Sequence, residues 1–189
     1  MKRFFQSVLC AALCLGTLTG CSGSSSKSGG ASYLVTREPF PQFSEKDMNG
    51  AAVSSDMFAD YDATIINFWN NGCGTCIAEM PELEEMYQSY KEKNINLIGI
   101  GTDSGESERN HAEALDILAS KGVTYTNISP DPESDFYKGF IKDIFTYPTT
   151  YVIDSEGYII GAPITGNVKN QMDALEKKLD QAQASKESD

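Results

Sequence analysis

The chain has 189 residues and carries 27 acidic against 15 basic side chains, a formal net charge of −12. Such a balance argues against nucleic acid and anionic headgroups as charge-held partners, and the length suits one ordinary domain. With five cysteines and a single histidine, His111, a four-ligand zinc centre is hard to assemble.

In chain order, Met1-Lys2-Arg3 is a basic start and Phe4 to Thr19 is mostly apolar. That run is shorter than the roughly 20 residues of a transmembrane helix, so residues 1–20 read as a secretory signal. Leu18-Thr19-Gly20-Cys21 resembles the bacterial lipobox, which implies acylation of Cys21 as the new N-terminus. An ordinary signal peptide with an incidental cysteine is the alternative. Residues 21–31 are the lipid-bearing cysteine and a Ser/Gly tether, whose ten-residue coil reaches roughly 17 Å. The domain proper is then 32–189. Loss of Lys2 and Arg3 with the leader moves the net charge from −12 to −14.

Phe43–Met48 and Ala51–Ser54 flank Asn49-Gly50, the signal of a two-residue hairpin turn. Ala63 to Trp69 is an apolar run of strand length. Cys73 to Lys93 has helical spacing, which Pro81 should kink or divide in two. Asn96 to Thr102 reads as a central strand buried on both faces. Glu106 to Lys121 reads as an amphipathic helix carrying Leu115, Ile117 and Leu118, with Gly122 at its C-terminal end. A short strand within 123–128 and a helix over 135–144 follow. Then come a hairpin of Thr149–Ile153 and Gly157–Ile160, and a closing helix over 167–183 with Met172, Leu175 and Leu179 inward. This order predicts an α/β sandwich with a mixed central sheet. His111 and the run Glu82, Glu84 and Glu85 read as solvated side chains.

The chemistry lies in Cys73-Gly74-Thr75-Cys76. Cys10 and Cys14 leave with the leader and lipid blocks Cys21, so only Cys73 and Cys76 remain as thiols. A pair three apart closes almost no loop, so it is poorly explained as a structural framework. At a strand-to-helix junction, the helix N-terminus stabilises a thiolate on Cys73. Cys73 would attack a disulfide, and Cys76, one turn further in, would resolve the mixed disulfide. The competing reading, half of a zinc site, lacks the remaining ligands.

Asn67-Phe68-Trp69, the cysteine pair, Glu79-Met80-Pro81 and Pro148-Thr149-Thr150-Tyr151-Val152-Ile153-Asp154 together resemble the membrane-tethered thiol–disulfide oxidoreductases of the ResA and TlpA type. The resemblance spans residues 40 to 182. It implies a thioredoxin-like three-layer sandwich with an N-terminal β-hairpin and an inserted strand–helix segment. It also implies a cis Pro148 facing the cysteines, and a substrate groove formed by Trp69, Gly72, Gly74, Thr75, Tyr147 and Pro148. Trp69 reads as a core or subsurface residue beside the site, and Tyr147 as groove-lining or simply packed. Glu79 matches the family's acid near the sulfurs, a candidate catalytic group beside Cys73 and Cys76; the alternative is an exposed helix glutamate. Two departures stand out: Gly72 replaces the usual tryptophan, which loosens the loop, and the dipeptide Gly74-Thr75 lacks the frequent proline.

The resulting expectation is an extracytoplasmic lipoprotein that reduces disulfides in exported client proteins. It would use no cofactor beyond its own Cys73–Cys76 couple and no metal. Electrons would come from a membrane thiol transporter of the CcdA or DsbD kind, as the resemblance implies. A thiol peroxidase, a non-catalytic binding lipoprotein and a DsbA-type oxidase are the alternatives.

Overall fold

Two adjacent parallel strands form the centre, β4 (Ala63–Trp69) and β5 (Ile95–Gly101), and every residue of both is buried. Before them come β1 (Glu38–Pro39), β2 (Ser44–Asp47) and β3 (Ala52–Ser54); after β5 come β6 (Asn127–Ser129), β7 (Thr149–Asp154), β8 (Tyr158–Ile159) and β9 (Ile164–Thr165). The sheet order is β1-β8-β7-β4-β5-β6-β2-β3, with β9 pairing β7. β7 runs antiparallel to β4, so the sheet is mixed. The helices are α1 (Gly74–Tyr90), α2 (Glu108–Lys121), α3 (Asp135–Gly139) and α4 (Met172–Lys186). This computed structural model describes residues 37–186. The expected signal segment 1–20, Cys21 and the tether 21–31 lie outside the described residues.

Alternation along β4 divides the core, because successive strand side chains point to opposite faces. Ala63 and Ile65 join Leu83 and Tyr90 of α1 and Leu175 and Leu179 of α4. Trp69 packs with Cys76 and Met80 of α1 and Ala114 and Leu118 of α2. Ile66 and Phe68 point the other way, into a cluster with Phe40, Phe43, Phe58, Phe136 and Ile141. This is the expected three-layer thioredoxin-like sandwich, with the hairpin β2–β3 added beside the inserted β6.

Several local expectations are corrected. The hairpin loop holds three residues, Met48-Asn49-Gly50, because the Asp47 N–H donates to the Ala51 carbonyl at 2.8 Å. Gly50 takes the left-handed conformation that this longer turn requires (φ 85°). The Asp47 carboxylate caps the turn by accepting from the Asn49 and Ala51 N–H groups. Pro81 does not divide α1, which runs unbroken through it. Leu115 is exposed, and Ala114 with Leu118 forms the buried stripe of α2 instead. The helix expected over 135–144 shortens to α3 followed by a 3-10 turn, Ile141–Asp143.

His111 is not a solvated side chain. Its Nε2 lies 3.1 Å from the Met48 carbonyl and its Nδ1 lies 3.3 Å from Ser129 Oγ, which ties α2 to the hairpin loop and β6. Glu84 is not merely solvated either, since it accepts from the Thr124 N–H and hydroxyl. Glu82 pairs with Lys169 at 2.8 Å, while Glu85 is exposed.

Candidate active site

β4 ends at Trp69 and the chain turns sharply through Asn70, Asn71 and Gly72, with the Cys73 N–H donating to the Asn70 carbonyl at 3.1 Å. Cys73 is the N-cap of α1, and its Sγ accepts from the Cys76 N–H at 3.1 Å. The two cysteines are joined by a disulfide. Their environments differ: Cys76 is 1% exposed and packed among Trp69 and Met80, while Cys73 is half-buried between exposed Gly72, Gly74 and Thr75. An outside sulfur therefore has a path to Cys73 and none to Cys76. In the dithiol form, the helix N-terminus and the Cys76 N–H favour a thiolate at Cys73.

Trp69, grouped with the expected groove but read as a core or subsurface residue, lies in the core beside the cysteine pair. The ring is buried and its Nε1–H donates to Asn127 Oδ1 at 2.9 Å. Gly99 of β5 makes the room: a Cβ there would stand 2.0 Å from that same Asn127 oxygen. Tyr147 packs against the cluster of Trp69 and Cys76. The Tyr147–Pro148 bond is cis, and the Pro148 carbonyl accepts from the Gly166 N–H. Thr102 Oγ1 lies 3.1 Å from both the Trp69 carbonyl and the Tyr147 hydroxyl. With its one hydrogen on the carbonyl, Thr102 accepts from Tyr147.

Glu79 follows Cys76 by three residues, so the two share a helix face. It is 1% exposed, which removes the exposed-glutamate reading. Its Oε1 accepts from Asn67 Nδ2 at 3.0 Å and its Oε2 from the Val168 N–H at 3.1 Å. Asn67 sits on β4 two residues before Trp69 and also reaches Thr150 Oγ1. Burial pushes the Glu79 carboxyl above the ordinary carboxylate value, opposed by the Val168 and Asn67 hydrogen bonds.

A folded state that binds this proton more tightly than the unfolded chain loses stability as pH rises from the ordinary value of 4.5 towards the native one. Glu79→Gln should remove that dependence. The stability difference between parent and variant should change by at most about 1.4 kcal/mol per pH unit within the window. Urea unfolding of the disulfide forms across mildly acidic pH measures it, and parallel curves would show that Glu79 does not titrate there.

Between the Asn70–Gly72 turn and α3 lies a cleft of about 490 Å³, lined by Gly72, Thr102, Asp103, Glu106, Tyr137 and Tyr147 among others. The Tyr137 hydroxyl donates to Glu106 at 2.7 Å, and burial with that carboxylate pushes the phenol up to about 12. Phe145, between cleft-lining Ile144 and Tyr147, is 85% exposed. The sequence reading missed Asp103, Asn127 and Phe145. A usable signal existed for Asp103: it follows β5, which is parallel to β4, and loops after parallel strands converge at one sheet end. No group of three or more His, Cys, Asp or Glu side chains able to hold a metal occurs among the described residues.

Residues 36–162 match the AhpC/TSA family. The chain belongs to that family. Among similar proteins of this thioredoxin-like group is the thiol-disulfide oxidoreductase ResA of Bacillus thuringiensis subsp. konkukian (strain 97-27). It is 25% identical over 140 residues, covering 74% of this chain and 75% of the relative. The thioredoxin-like protein YneN of Bacillus subtilis (strain 168) is 28% identical over 144 residues, covering 74% and 76%. The thioredoxin domain of a thiol-disulfide oxidoreductase from Bacteroides vulgatus superposes with a TM-score of 0.59 at 22% identity, over 75% of this chain and 98% of that one. A thioredoxin-family thiol:disulfide interchange protein from Chlorobium tepidum TLS gives 0.56 at 24%, over 69% and 86%. This AhpC/TSA member is a thioredoxin-like thiol–disulfide oxidoreductase.

Proposed function

We propose that the protein is an extracytoplasmic lipoprotein that reduces disulfides in exported client proteins through the Cys73–Cys76 dithiol. The unequal burial of the two sulfurs carries this reading. The Cys73 thiolate attacks one sulfur of a client disulfide, and the client's other sulfur leaves as a thiolate and takes a proton. Cys76 then gives up its proton and attacks Cys73 Sγ, and the second client sulfur departs in the same way. The client gains two electrons and the protein is left as the Cys73–Cys76 disulfide. Glu79, three residues after Cys76 on the same helix, would accept the Cys76 proton. Tyr147 and Pro148, with Gly72, Gly74 and Thr75, would seat the client, and Trp69 would support them from below. A membrane dithiol donor of the CcdA or DsbD kind would restore the thiols, and no other cofactor is required.

Attachment through Cys21 rests on the lipobox-like sequence and the Ser/Gly run after it. No described helix is long and apolar enough to cross a membrane. Cys21→Ala should move the protein from the membrane fraction to the soluble one, and unchanged partition would remove the anchor from the proposal.

Insulin reduction, peroxide consumption and reduction potential together test the activity in a form starting at Ser32. Insulin precipitation with a potential near or below about −230 mV supports a reductase. A potential near about −120 mV would make the protein an oxidant instead, and peroxide consumption without insulin reduction would make it a peroxidase.

A further inference from the structure

We propose that Asp103 is a positioning residue for Cys73, acting through a closed ring of hydrogen bonds that it forms with Asn71 and Asn110. Both Asp103 carboxylate oxygens lie 3.1 Å from the Asn71 N–H. Asn71 Nδ2 donates to the Asn110 carbonyl at 2.9 Å. Asn110 Nδ2 returns to the Asp103 carbonyl at 3.0 Å and closes the ring. Asn110 belongs to the first turn of α2, where its N–H donates to the N-cap Ser107. The turn that delivers Cys73 to α1 is thus fastened to a second helix.

Gly72 makes this fastening matter. It is exposed, has no side chain to pack, and directly precedes the nucleophile. Glycine also has the widest backbone freedom of any residue. An aromatic side chain at this position could hold the loop by packing; here side-chain-to-backbone hydrogen bonds from 32 and 39 residues away do so. The Asn71 N–H lies in a turn outside the sheet ladder, where water could satisfy it, so the ring is not needed to complete a strand or helix.

The sign of the charge supports a geometric role. A carboxylate bonded to the backbone N–H two residues before the nucleophile disfavours the Cys73 thiolate by its charge, so its hydrogen bonding to the turn is the way it would help. Burial, with the charges of Glu106 and Glu113, pushes the Asp103 carboxyl above the ordinary carboxylate value, and the Asn71 N–H opposes that rise.

The proposal rests on Cys73 being the attacking sulfur. Asp103→Ala and Asp103→Asn, each in the full domain, test it through three readouts: melting temperature, insulin reduction, and iodoacetamide alkylation of Cys73 in the dithiol form. A misplaced reacting group loses rate sharply, so Asp103→Ala should lower kcat by about tenfold with KM little changed. Asp103→Asn keeps an oxygen for the Asn71 N–H and should recover most of that loss, with melting temperatures of both near the parent.

Equal losses in the two variants would make the effect one of charge and overturn the proposal. A lowered melting temperature with unchanged kcat would make the ring structural only, and overturn it as well. If the parent itself fails to reduce insulin, the function fails on its own account. The alkylation rate then still decides the ring, supported by slowing in Asp103→Ala rescued by Asp103→Asn and overturned by equal rates.

Discussion

Serine at position 76 should convert the protein from a turnover catalyst into a trap, and serine at position 73 should abolish insulin reduction. The half-buried Cys73 is the sulfur within a client's reach, so Cys73→Ser leaves only buried Cys76 and a rate equal to that of the added reductant alone. Cys76→Ser keeps the attacking thiol at the helix N-terminus, and the mixed disulfide forms. Its release then needs a thiol from solution. Well-oriented intramolecular groups act with effective molarities of about 10⁵ M and above, against millimolar external thiol, so release should slow by many orders of magnitude. Non-reducing electrophoresis should show a stable adduct with reduction-sensitive mobility. Parent-like turnover by Cys76→Ser would remove Cys76 from the resolving role.

Phe40→Ala should be the most damaging of the simple truncations outside the site. Phe40 is 1% exposed and meets Phe58, Phe136, Phe140, Phe43 and Tyr151 at ring-centroid distances from 5.1 to 6.4 Å. Its N–H also donates to the Gly157 carbonyl at 2.8 Å. One side chain therefore joins the N-terminal segment, α3 and the sheet face opposite α1. Truncating a buried Phe costs about 3–5 kcal/mol. For a chain of this size that corresponds to a loss in melting temperature of roughly 10 °C. Phe145→Ala, at the exposed ring, should barely move the melt and serves as the control. Equal, small shifts for both would mean that the aromatic cluster is not a cooperative part of the core.

The sequence was most legible where period and punctuation agree. β4 and β5 are mostly apolar runs of strand length, Cys73 marks a helix start, and Gly122 and Gly50 sit where a left-handed residue is needed. β1, β8 and β9 are two residues each, too short to show any alternation. Cys73, Cys76 and Glu79 were named from spacing and resemblance, but the partner of Glu79 was not foreseeable. Asn67 lies 12 residues away on a strand, and only the β4–α1 packing brings it to the carboxylate. Asp103 and His111 fail for a common reason: a polar residue in a loop or on a helix surface reads the same whether water or a folded partner meets it. Their partners come from 32 and 63 residues away.

The two borders of the sheet carry a consequence for how partners can be met. One border is the two-residue β1, with Arg37 just before it stacked on Tyr158 and paired to buried Asp154 at 2.6 Å. The other is the three-residue β3. Neither offers a long row of open peptide groups, which is what adhesion between folded sheets or capture of an extended chain by strand addition requires. Among the described residues, a partner polypeptide thus finds no long template on the flanks of the sheet. It is left with the end of the sheet, where the strand termini and the cysteine pair are, and where attachment is covalent and reversible instead of additive.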